Sequence, residues 1–359
     1  MTFHLAVALE GAGWHPAAWR EPDARPKELF TARYWADLVT EAEHGLLDLV
    51  TFEDSFGLQS TGTGQVTGRL DAALVAAAVA PRTRRIGLVP TVVTTHTEPF
   101  HISKSVATID YASLGRAGVR VRVDRQHIEH IGRRPPLEVD DLLDEAADYV
   151  EVVRRLWDSW EDDAEIRDVA TGRFIDRDKL HYIDFAGRFF SVKGPSITPR
   201  PPQGQPPVFA LAHTAPVYRF AERAADVVFV TPRDADDAAV ITAQLTGVPH
   251  VFGDLTVFLD GADRLARLND LAEFTTDTAV FTGSPAELAD LLIAWQGKGL
   301  TGCRLRPGTL PHDLTAITRG LVPELRERGV FRHAYTDGTL RDRLGLPRPA
   351  NRYAAPRGA

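Results

Sequence analysis

The sequence predicts an α/β fold of the (β/α)8 TIM-barrel class with insertions. Short apolar runs of strand length alternate along the chain with longer segments whose apolar residues recur at helical spacing, as in a parallel sheet covered by helices. The length of 359 residues accommodates about eight strand–helix units, and a closed barrel needs about 250 residues before insertions. A doubly wound open sheet is the alternative that shares this alternation.

Composition excludes several classes of protein. The chain has 41 Lys plus Arg and 49 Asp plus Glu, so its formal charge of −8 lacks the basic surface of a nucleic-acid binder. The single cysteine, Cys303, excludes a disulfide framework and fits a reducing compartment. No run of 18 apolar residues is present, and residues 1–14 lack the basic start of a signal peptide. We therefore expect a cytoplasmic protein that binds neither nucleic acid nor membrane.

The first half of the chain predicts four strand–helix units. Gly45 is expected to end the first helix in the left-handed C′ position, and Pro81 to end the second. Pro90 lies within a β-branched run, where it breaks the ladder or marks a bulge. Pro99 suits the first turn of the third helix. The predicted strands are 3–9, 47–52, 86–95 and 118–123, and the predicted helices are 28–44, 70–80, 99–111 and 139–157.

The second half continues the same alternation. Ser284 is the expected N-cap of a helix that starts at Pro285, with Glu287 completing a capping box. Strands are predicted at 208–211, 227–230, 250–259 and 302–305, and helices at 217–224, 285–297 and 314–328. The chain from Asp342 onward is rich in Pro and Arg and is expected to be extended or frayed. We predict one domain over 1–345, with 346–359 as an extended tail.

Residues 158–205 form an insertion of different character. The segment is charged and then rich in turn residues, and DFAGRFFSVKGP within it predicts a hairpin. Long segments of this kind between barrel elements are usually functional. We therefore expect the insertion to contribute to function.

Glycine-rich segments do not predict a nucleotide fold. Gly11 and Gly13 lack the third glycine of a dinucleotide fingerprint, and the glycines in 62–68 have the wrong spacing for it. No Gly-Lys-Ser/Thr follows either segment, which excludes a P-loop.

The histidine and cysteine residues of the sequence indicate neither a metal site nor a catalytic nucleophile. His127 and His130 stand one helical turn apart, so they could offer two metal ligands, but the adjacent Arg133 and Arg134 favour a basic loop. No metal site is predicted. No G-x-S-x-G elbow is present, and Cys303 lies in an apolar strand where packing is favoured over catalysis.

The residues that follow the predicted strands are the first candidates for a site, since the carboxyl ends of barrel strands carry the chemistry of this fold. His96 and His101 follow the third strand and are candidate catalytic residues, with a role as core histidines as the alternative. Glu53 and Asp54 close the second strand, where a carboxylate either faces a ligand or serves as a helix cap or in a salt bridge at the rim.

Two further segments could contact a planar, phosphorylated cofactor. The TVVTT run that ends in Thr94 and Thr95 places hydroxyls where they could bond the polar edge of a ring, although threonine is also favoured in strands for its β propensity. His213 and Thr214 follow a strand and precede a helix, whose N-terminal amides could bind a phosphate. Exposed N-terminal amides occur in any capped helix, so they do not by themselves indicate a phosphate site.

Several segments together resemble the bacterial-luciferase-like flavin monooxygenases, in the branch of the nitrilotriacetate, EDTA and dibenzothiophene-sulfone monooxygenases. The resemblance is colinear over nearly the whole chain. The stretch from LWDSWEDDA to RPPQGQP is its most specific part. The segments that carry it are 13–22, 84–118, 149–164, 171–208, 223–229, 281–292 and 321–349.

This resemblance implies a TIM barrel that binds reduced FMN at the carboxyl face. A separate NAD(P)H-dependent flavin reductase would supply the reduced flavin, which reacts with dioxygen to oxygenate a small organic substrate. A homodimer is also expected from the family. Matched position by position, Asp54 falls where the family places an acid beside the flavin ring. Thr94 and Thr95 fall on the family's threonine pair, His96 replaces an aromatic residue, and Thr214 falls on the serine of the phosphate turn.

The sequence departs from the family pattern at positions that contact the flavin. Arg120 replaces an asparagine, Leu143 replaces a tyrosine, and Ala212 and Val217 replace two glycines of the phosphate turn. The segment between RAADVVF and FTGSP is also shorter than in the branch. One reading is an enzyme with an altered flavin site, in which Arg120 offers a cation to the phosphate or to the reduced ring. The alternatives are a non-catalytic or partner-subunit homologue, or an oxidoreductase that uses the deazaflavin F420.

Overall fold

The computed structural model describes residues 3–58, 62, 64–127, 130–131, 135 and 137–354. Its strands are β1 (His4–Leu9), β2 (Leu49–Phe52), β3 (Gly87–Val93), β4 (Val119–Arg122), β5 (Glu165–Asp168), β6 (Arg173–Ile175), β7 (Phe185–Ala186), β8 (Ser191–Val192), β9 (Val208–Leu211), β10 (Val227–Val230), β11 (His250–Val257), β12 (Val280–Phe281) and β13 (Gly302–Pro307).

Eight of these strands close into a parallel barrel. They pair in the order β1, β2, β3, β4, β9, β10, β11, β13, and β13 returns to pair with β1. The upper end of β11 also pairs with the short β12. Because the ring closes, the TIM-barrel prediction is confirmed and the open sheet is excluded. The carboxyl ends of all eight strands meet at one end of the ring.

The helices of the described residues surround this ring. They are α1 (Ala32–His44), α2 (Ala72–Val79), α3 (Pro99–Ser113), α4 (Val139–Asp158), α5 (Ala215–Ala224), α6 (Ala235–Thr242), α7 (Ala262–Asn269), α8 (Pro285–Gly297), α9 (His312–Ala316), α10 (Val322–Glu327) and α11 (Leu340–Arg343). The predicted capping box of α8 is confirmed, since Ser284 Oγ accepts the backbone N–H of Glu287 and the Glu287 side chain accepts that of Ser284. The single helix predicted over 314–328 is instead α9 and α10 joined by a π-helical turn.

The first helix ends at His44 as predicted, but Gly45 is its C-cap residue and not the C′ residue. Gly45 has φ −72°, and Leu46 instead takes the left-handed position with φ 60°. The backbone N–H of Leu47 donates to the carbonyl of Ala42 at 3.2 Å, which closes the helix end around Leu46. Glycine is needed at 45 for a different reason, because a Cβ there would lie 2.6 Å from Cγ2 of Thr318.

Pro90 interrupts the ladder between β3 and β4 without a bulge. Leu88 lies opposite Ala117 and Thr91 lies opposite Arg120, so the register is the same on both sides of the proline. The missing N–H of Pro90 removes one possible bond of the ladder and shifts no side chain to the other face.

The chain after β13 closes the amino end of the barrel. Leu340, Leu344 and Leu346 are buried against Phe209 and Phe252 of the barrel interior. The expectation that the chain from Asp342 is extended or frayed is therefore wrong for residues 342–346, because these leucines supply apolar surface that the barrel floor requires. Residues 347–354 have no regular structure, but they are anchored to the insertion.

The insertion 158–205 lies at that same amino end. It contains the hairpin β5–β6 and the predicted hairpin, which is β7–β8. Buried Arg200 pairs with Asp158 at 2.9 Å, and Arg348 of the last segment pairs with Asp162 at 2.7 Å. The insertion therefore braces the end of the barrel opposite to the carboxyl ends of the strands.

The barrel interior has two layers of opposite character. Its lower layer is apolar and contains Ala6, Val89 and Phe229 together with the leucines of the floor. Its upper layer, toward the carboxyl ends, contains buried charged side chains on β4, β11 and β13. Among the helices of the described residues, none combines the length and apolar character that a membrane crossing requires.

Candidate active site

A cavity of about 490 Å³ lies at the carboxyl end of the barrel, between the ends of β4 and β9 and the first turns of α4 and α5. One part of its wall is charged and another part is apolar. The charged lining residues are Glu53, Arg120, Arg122, Arg125, Asp277 and Arg306. The apolar side is formed mainly by Val139, Leu143, Leu211, Val217 and Phe220. Such a volume and mixed lining are typical of a site for a small molecule.

Glu53 and Arg120 form a buried ion pair at the base of this cavity. Arg120 Nη1 donates to both carboxylate oxygens of Glu53 and to Thr91 Oγ1 at 3.2 Å. Although burial disfavours the charged form, the charges of Arg120 and Arg304 lower the pKa of Glu53 to about 2. Burial lowers the pKa of Arg120 to about 10, against the opposing effect of Glu53. Both groups are therefore charged at neutral pH.

The pair belongs to a longer series of contacts that we call the ionic chain: Arg120, Glu53, Arg304, Asp254, Arg306 and Asp277. Arg304 lies between two carboxylates: its Nη1 donates to Glu53 Oε1 at 3.1 Å, and its Nε donates to Asp254 Oδ1 at 2.8 Å. Asp254 also accepts Arg306 Nε at 2.9 Å, and Arg306 in turn pairs with Asp277. The three carboxylates and three guanidinium groups balance in charge, which compensates the cost of burying them.

Asp277 connects the ionic chain to the rim of the cavity. Its Oδ2 lies 3.2 Å from His213 Nε2, and His213 Nδ1 lies 3.0 Å from Thr231 Oγ1. Burial opposes ionisation of Asp277, but the hydrogen bond from His213 and the charge of Arg306 lower its pKa. Arg306 also stacks over the ring of Trp14, with its guanidinium carbon 4.3 Å from the ring centroid.

Arg122 and Arg125 bring an excess of positive charge to the rim. Arg122 Nη2 lies 3.5 Å from Asp124 and its Nη1 donates to the carbonyl of Asp54 at 3.3 Å. The side chain of Arg125 is exposed, and no carboxylate among the described residues forms an ion pair with it. The rim can therefore attract an anionic group.

Asp54 caps a helix. Its Oδ2 accepts the backbone N–H of Ala72 at 3.0 Å, at the start of α2, and its Oδ1 accepts that of Ser55 at 2.8 Å. Burial raises the pKa of Asp54. Asp54 is not among the described residues that line the cavity, and the neighbouring Glu53 occupies that position instead.

Thr94 and Thr95 tie the end of β3 to the end of β4. Thr94 Oγ1 donates to the carbonyl of Arg122 at 3.2 Å, and Thr95 Oγ1 accepts the backbone N–H of Asp124 at 3.0 Å. Both threonines are buried. Their hydroxyls thus hold the strand that presents Arg120 and Arg122 to the cavity.

The two candidate catalytic histidines occupy different environments. His96 is buried in the turn between β3 and α3, with φ 62°. His101 is exposed on the first turns of α3. His127 and His130, farther along the chain, have ring centroids 5.6 Å apart, and the described residues contain no group of three or more side chains that could hold a metal ion.

The structure separates the positions that depart from the family pattern. Leu143 and Val217 line the cavity, whereas Ala212 is buried behind it. Thr214 precedes α5 as its N-cap residue without a side-chain capping bond, and His213 lines the rim. The side chains of Ala212 and Val217 therefore leave the cavity open.

Sequence reasoning did not identify most of the ionic chain. Arg120 was found through the resemblance, but its pairing with Glu53 and the roles of Asp254, Arg304 and Arg306 were not anticipated. The available signal was the charge at every second position in otherwise apolar strands, as in GVRVRV and GCRLRP. In a barrel, such alternation puts the charges on the inner face.

Comparison of the chain with known proteins identifies its family. The family model described as luciferase-like monooxygenase matches residues 2–248. The chain belongs to the luciferase-like monooxygenase family. It is 30% identical to N-acetyl-S-(2-succino)cysteine monooxygenase of Bacillus subtilis (strain 168) and 29% identical to nitrilotriacetate monooxygenase component A of Aminobacter aminovorans. Each alignment covers 98% of this chain and 98% of the relative.

Solved structures of luciferase-like monooxygenases and related enzymes share the fold. EDTA monooxygenase from Chelativorans sp. BNC1 superimposes with a TM-score of 0.86 at 20% identity, over 97% of this chain and 99% of that one. Riboflavin lyase, solved with modified FMN and riboflavin, superimposes with a TM-score of 0.85 at 24% identity, over 98% and 97% of the two chains. These neighbours support the barrel architecture at nearly full length.

Proposed function

We propose that this chain is the oxygenase component of a two-component, flavin-dependent monooxygenase. It would bind reduced FMN in the cavity at the carboxyl end of the barrel and oxygenate a small organic substrate with dioxygen. The observation that carries the proposal is the cavity of about 490 Å³ with a buried arginine donor at its base, in a chain of the luciferase-like monooxygenase family.

The residues of the cavity fit a flavin in three respects. The volume lies in the range of about 300–1,000 Å³ that small-molecule and cofactor sites occupy. The apolar side, which includes Leu143 and Phe220, suits the faces of a planar ring. Arg120 Nε is buried and has no hydrogen-bond partner among the described residues, so an acceptor on a bound ligand would satisfy it.

The phosphate of FMN would lie toward the rim. Arg122 and Arg125 offer charge there, and α5 begins at the same edge of the cavity. Within the first turn of α5, Ala215 and Val217 have backbone N–H groups, but Pro216 has none. We expect the arginines to compensate for the smaller number of amide donors.

When bound, reduced FMN supplies the two electrons with which dioxygen is used, so that one oxygen atom enters the substrate and the other leaves as water. The chain's own contribution is to orient the flavin and to exclude bulk water. Val139, Leu143 and Val217 form an apolar wall that can keep water away from the ring. The ionic chain fixes the position of Arg120, because Glu53 and Asp254 are each bonded to two arginines.

The partners follow from the same proposal. One relative is named component A of its monooxygenase, which supports a separate NAD(P)H-dependent flavin reductase as the second component here. We also infer a homodimer, which light scattering of the purified protein would test, and a cytoplasmic location, which fractionation of cells would test.

Anaerobic titration with reduced FMN tests the proposal directly. We expect a dissociation constant of about 1 μM or tighter, which corresponds to about −8 kcal/mol. Leu143→Trp would place a larger side chain in the cavity and should weaken binding at least tenfold. The matched control is Leu74→Trp, because Leu74 is exposed on α2 and does not line the cavity.

The titration also separates the alternatives. No binding of reduced FMN at about 100 μM would refute the proposal and favour a partner-subunit role. Tighter binding of F420 than of FMN would favour the deazaflavin alternative.

A further inference from the structure

A second cavity, of about 370 Å³, lies at the amino end of the barrel, opposite to the candidate active site. Its wall includes His4 at the start of β1, His250 at the start of β11, and Arg343 and Leu344 of the floor. The volume lies in the range of about 300–1,000 Å³ that small-molecule sites occupy. None of the described residues that line it is acidic. The cavity therefore has the size of a ligand site and a wall with positive but no negative charge.

Arg343 is the cation of this wall, and it has no counter-ion. Only 9% of its surface is exposed, and no carboxylate of the described residues forms an ion pair with it. Its Nη1 donates to the carbonyl of Gly338 at 2.9 Å and its Nη2 to that of Arg85, but its Nε has no hydrogen-bond partner among those residues. A guanidinium stays charged in proteins, and a buried charge without a partner is costly.

Arg116 shows how the same chain satisfies a buried arginine that lacks an ion pair. All three of its guanidinium nitrogens donate, and together they make five hydrogen bonds to carbonyl and hydroxyl oxygens. Arg343 makes two hydrogen bonds in the described part of the chain and lines a cavity. An acceptor on a bound ligand would therefore supply what the protein provides for Arg116 but not for Arg343.

Asp48 lies near Arg343 but cannot serve as its counter-ion. Its Oδ1 lies 3.0 Å from His4 Nδ1 and also pairs with Arg332, and its Oδ2 accepts the backbone N–H of Leu5 at 2.8 Å. Although burial opposes ionisation of Asp48, the contacts with His4 and Arg332 hold its pKa well below the usual range. Its charge is thus already matched by another arginine.

We propose that this cavity is a second binding site, which takes a small organic carboxylate with a compact apolar body. The carboxylate pairs with Arg343, and the apolar body contacts Leu300 and Leu344. Gly299 and Gly345 leave space between these side chains, because a glycine presents none. The lining residues of this cavity and of the candidate active site do not overlap among the described residues. The inference therefore does not depend on the proposed function.

A ligand in this cavity would strengthen the attachment of the floor to the barrel. His250 already joins the two, because its Nε2 lies 2.6 Å from the carbonyl oxygen of Leu344 and its Nδ1 lies 3.2 Å from Thr301 Oγ1. A carboxylate on Arg343 adds a contact between the last short helix and the strands that begin around the cavity. Since unfolding would release the ligand, the Tm should rise with ligand concentration.

Calorimetric titration of the full-length protein with sodium hexanoate tests the proposal. We expect a dissociation constant of about 1 mM or tighter, which is reasonable for a ligand of this size. Hexanamide has nearly the same shape without the charge, and inorganic phosphate has the charge without the apolar body. Both should bind at least about tenfold more weakly. At about ten times its dissociation constant, hexanoate should raise the Tm by about 2 °C relative to sodium chloride at the same concentration.

Substitutions identify which cavity binds the ligand. Arg343→Gln should weaken hexanoate by at least about tenfold and leave the affinity for hexanamide unchanged. The matched control is Arg122→Gln, which removes an arginine from the other cavity and should not alter hexanoate binding. If circular dichroism shows that Arg343→Gln does not fold, Gln296→Phe provides a second test. Its larger side chain should weaken hexanoate and hexanamide alike and leave the affinity for reduced FMN unchanged.

Four results would overturn the inference. They are equal affinities of the unaltered protein for hexanoate and hexanamide, tighter binding of phosphate than of hexanoate, no hexanoate binding at about 10 mM, and a loss of hexanoate affinity in Arg122→Gln as large as that in Arg343→Gln. The last result would place hexanoate in the candidate active site. Failure of reduced FMN to bind would refute the proposed function and leave this inference unaffected.

Discussion

Replacing Asp254 by asparagine should destabilise the barrel more than any other single change in the ionic chain. Asp254 is fully buried between two arginines. Its carboxylate accepts Arg304 Nη2 at 2.5 Å and Arg306 Nε at 2.9 Å. Asparagine has nearly the same shape, but it lacks the charge and turns one acceptor into a donor that faces guanidinium N–H groups.

The size of the stability loss in Asp254→Asn depends on which ion pairs Arg304 and Arg306 keep. Arg304 keeps its contact with Glu53 at 3.1 Å, and Arg306 keeps its pairing with Asp277, so neither arginine is left without a carboxylate. The interior nevertheless gains one uncompensated positive charge in a water-excluded layer. Breaking a buried ion pair by removing one partner typically costs about 3–5 kcal/mol, and we expect a loss of stability in this range.

Asp277→Asn is the matched control. The side chain of Asp277 is 45% exposed, and it contacts the same Arg306. Arg306 is itself buried, but it keeps both of its hydrogen bonds to Asp254, and the carboxylate that is lost faces water, so the expected loss is about 1 kcal/mol.

Calorimetry and urea unfolding measure the two variants. Because the entropy of unfolding is about 2.1 cal/mol/K per residue, a loss of 1 kcal/mol lowers the Tm of this 359-residue chain by about 1.3 °C. A loss of about 3–5 kcal/mol should therefore make Asp254→Asn melt roughly 4–7 °C below the unaltered protein. The midpoint in urea should fall in parallel without a change in slope. If the losses in Asp254→Asn and Asp277→Asn differ by less than about 1 kcal/mol, burial does not determine how much these ion pairs contribute to stability, and the prediction is wrong.

Three further predictions test other parts of the structure. The pKa of Glu53 is lowered from 4.5 to about 2 in the folded protein. Its ionised carboxylate therefore contributes fully to the free energy of unfolding above pH 4.5, and this contribution is lost as the pH falls toward 2. The free energy of unfolding in urea should depend less steeply on pH between these values in Glu53→Gln, and an unchanged slope would contradict the lowered pKa of Glu53. Ser284→Ala removes the capping box of α8 and should cost about 1 kcal/mol by thermal unfolding, whereas no loss would show that the cap is unimportant. Gly13→Ala should lower the free energy of unfolding by more than about 1 kcal/mol, because Gly13 has φ 129° and the new Cβ would lie 2.4 Å from the carbonyl oxygen of Gly308. Gly297→Ala is the control. Gly297 lies in a helix with open space around it, so this substitution should be neutral or stabilising.

The barrel could be predicted from the sequence because its strands are short apolar runs. The predicted bounds of β9 and β10 coincide with those of the structure, and so do the bounds of α8. Strand and helix patterns are local, and Pro and Gly mark their ends. The helices α6 and α7 were not predicted, because no strand–helix unit was assigned to the polar segment that contains them.

The candidate site was harder to predict because it depends on closure of the ring. Glu53 and Arg120 are 67 residues apart, and Asp254 and Arg304 are 50 residues apart. Nothing local indicates that these side chains meet. Buried strands are also expected to be apolar, so charged residues within them were not paired with one another. The roles carried over for Asp54, Thr94, Thr95, His96 and Thr214 remain predictions.

The floor of the barrel has a consequence for how the chain assembles during synthesis. The leucines at 340, 344 and 346 emerge from the ribosome only after β13, the last of the eight strands. A nascent chain that has already released every strand therefore still exposes the phenylalanines of the lower layer to solvent. Association with chaperones should accordingly be strongest in this interval, and it should end when the last leucine becomes available to cover them.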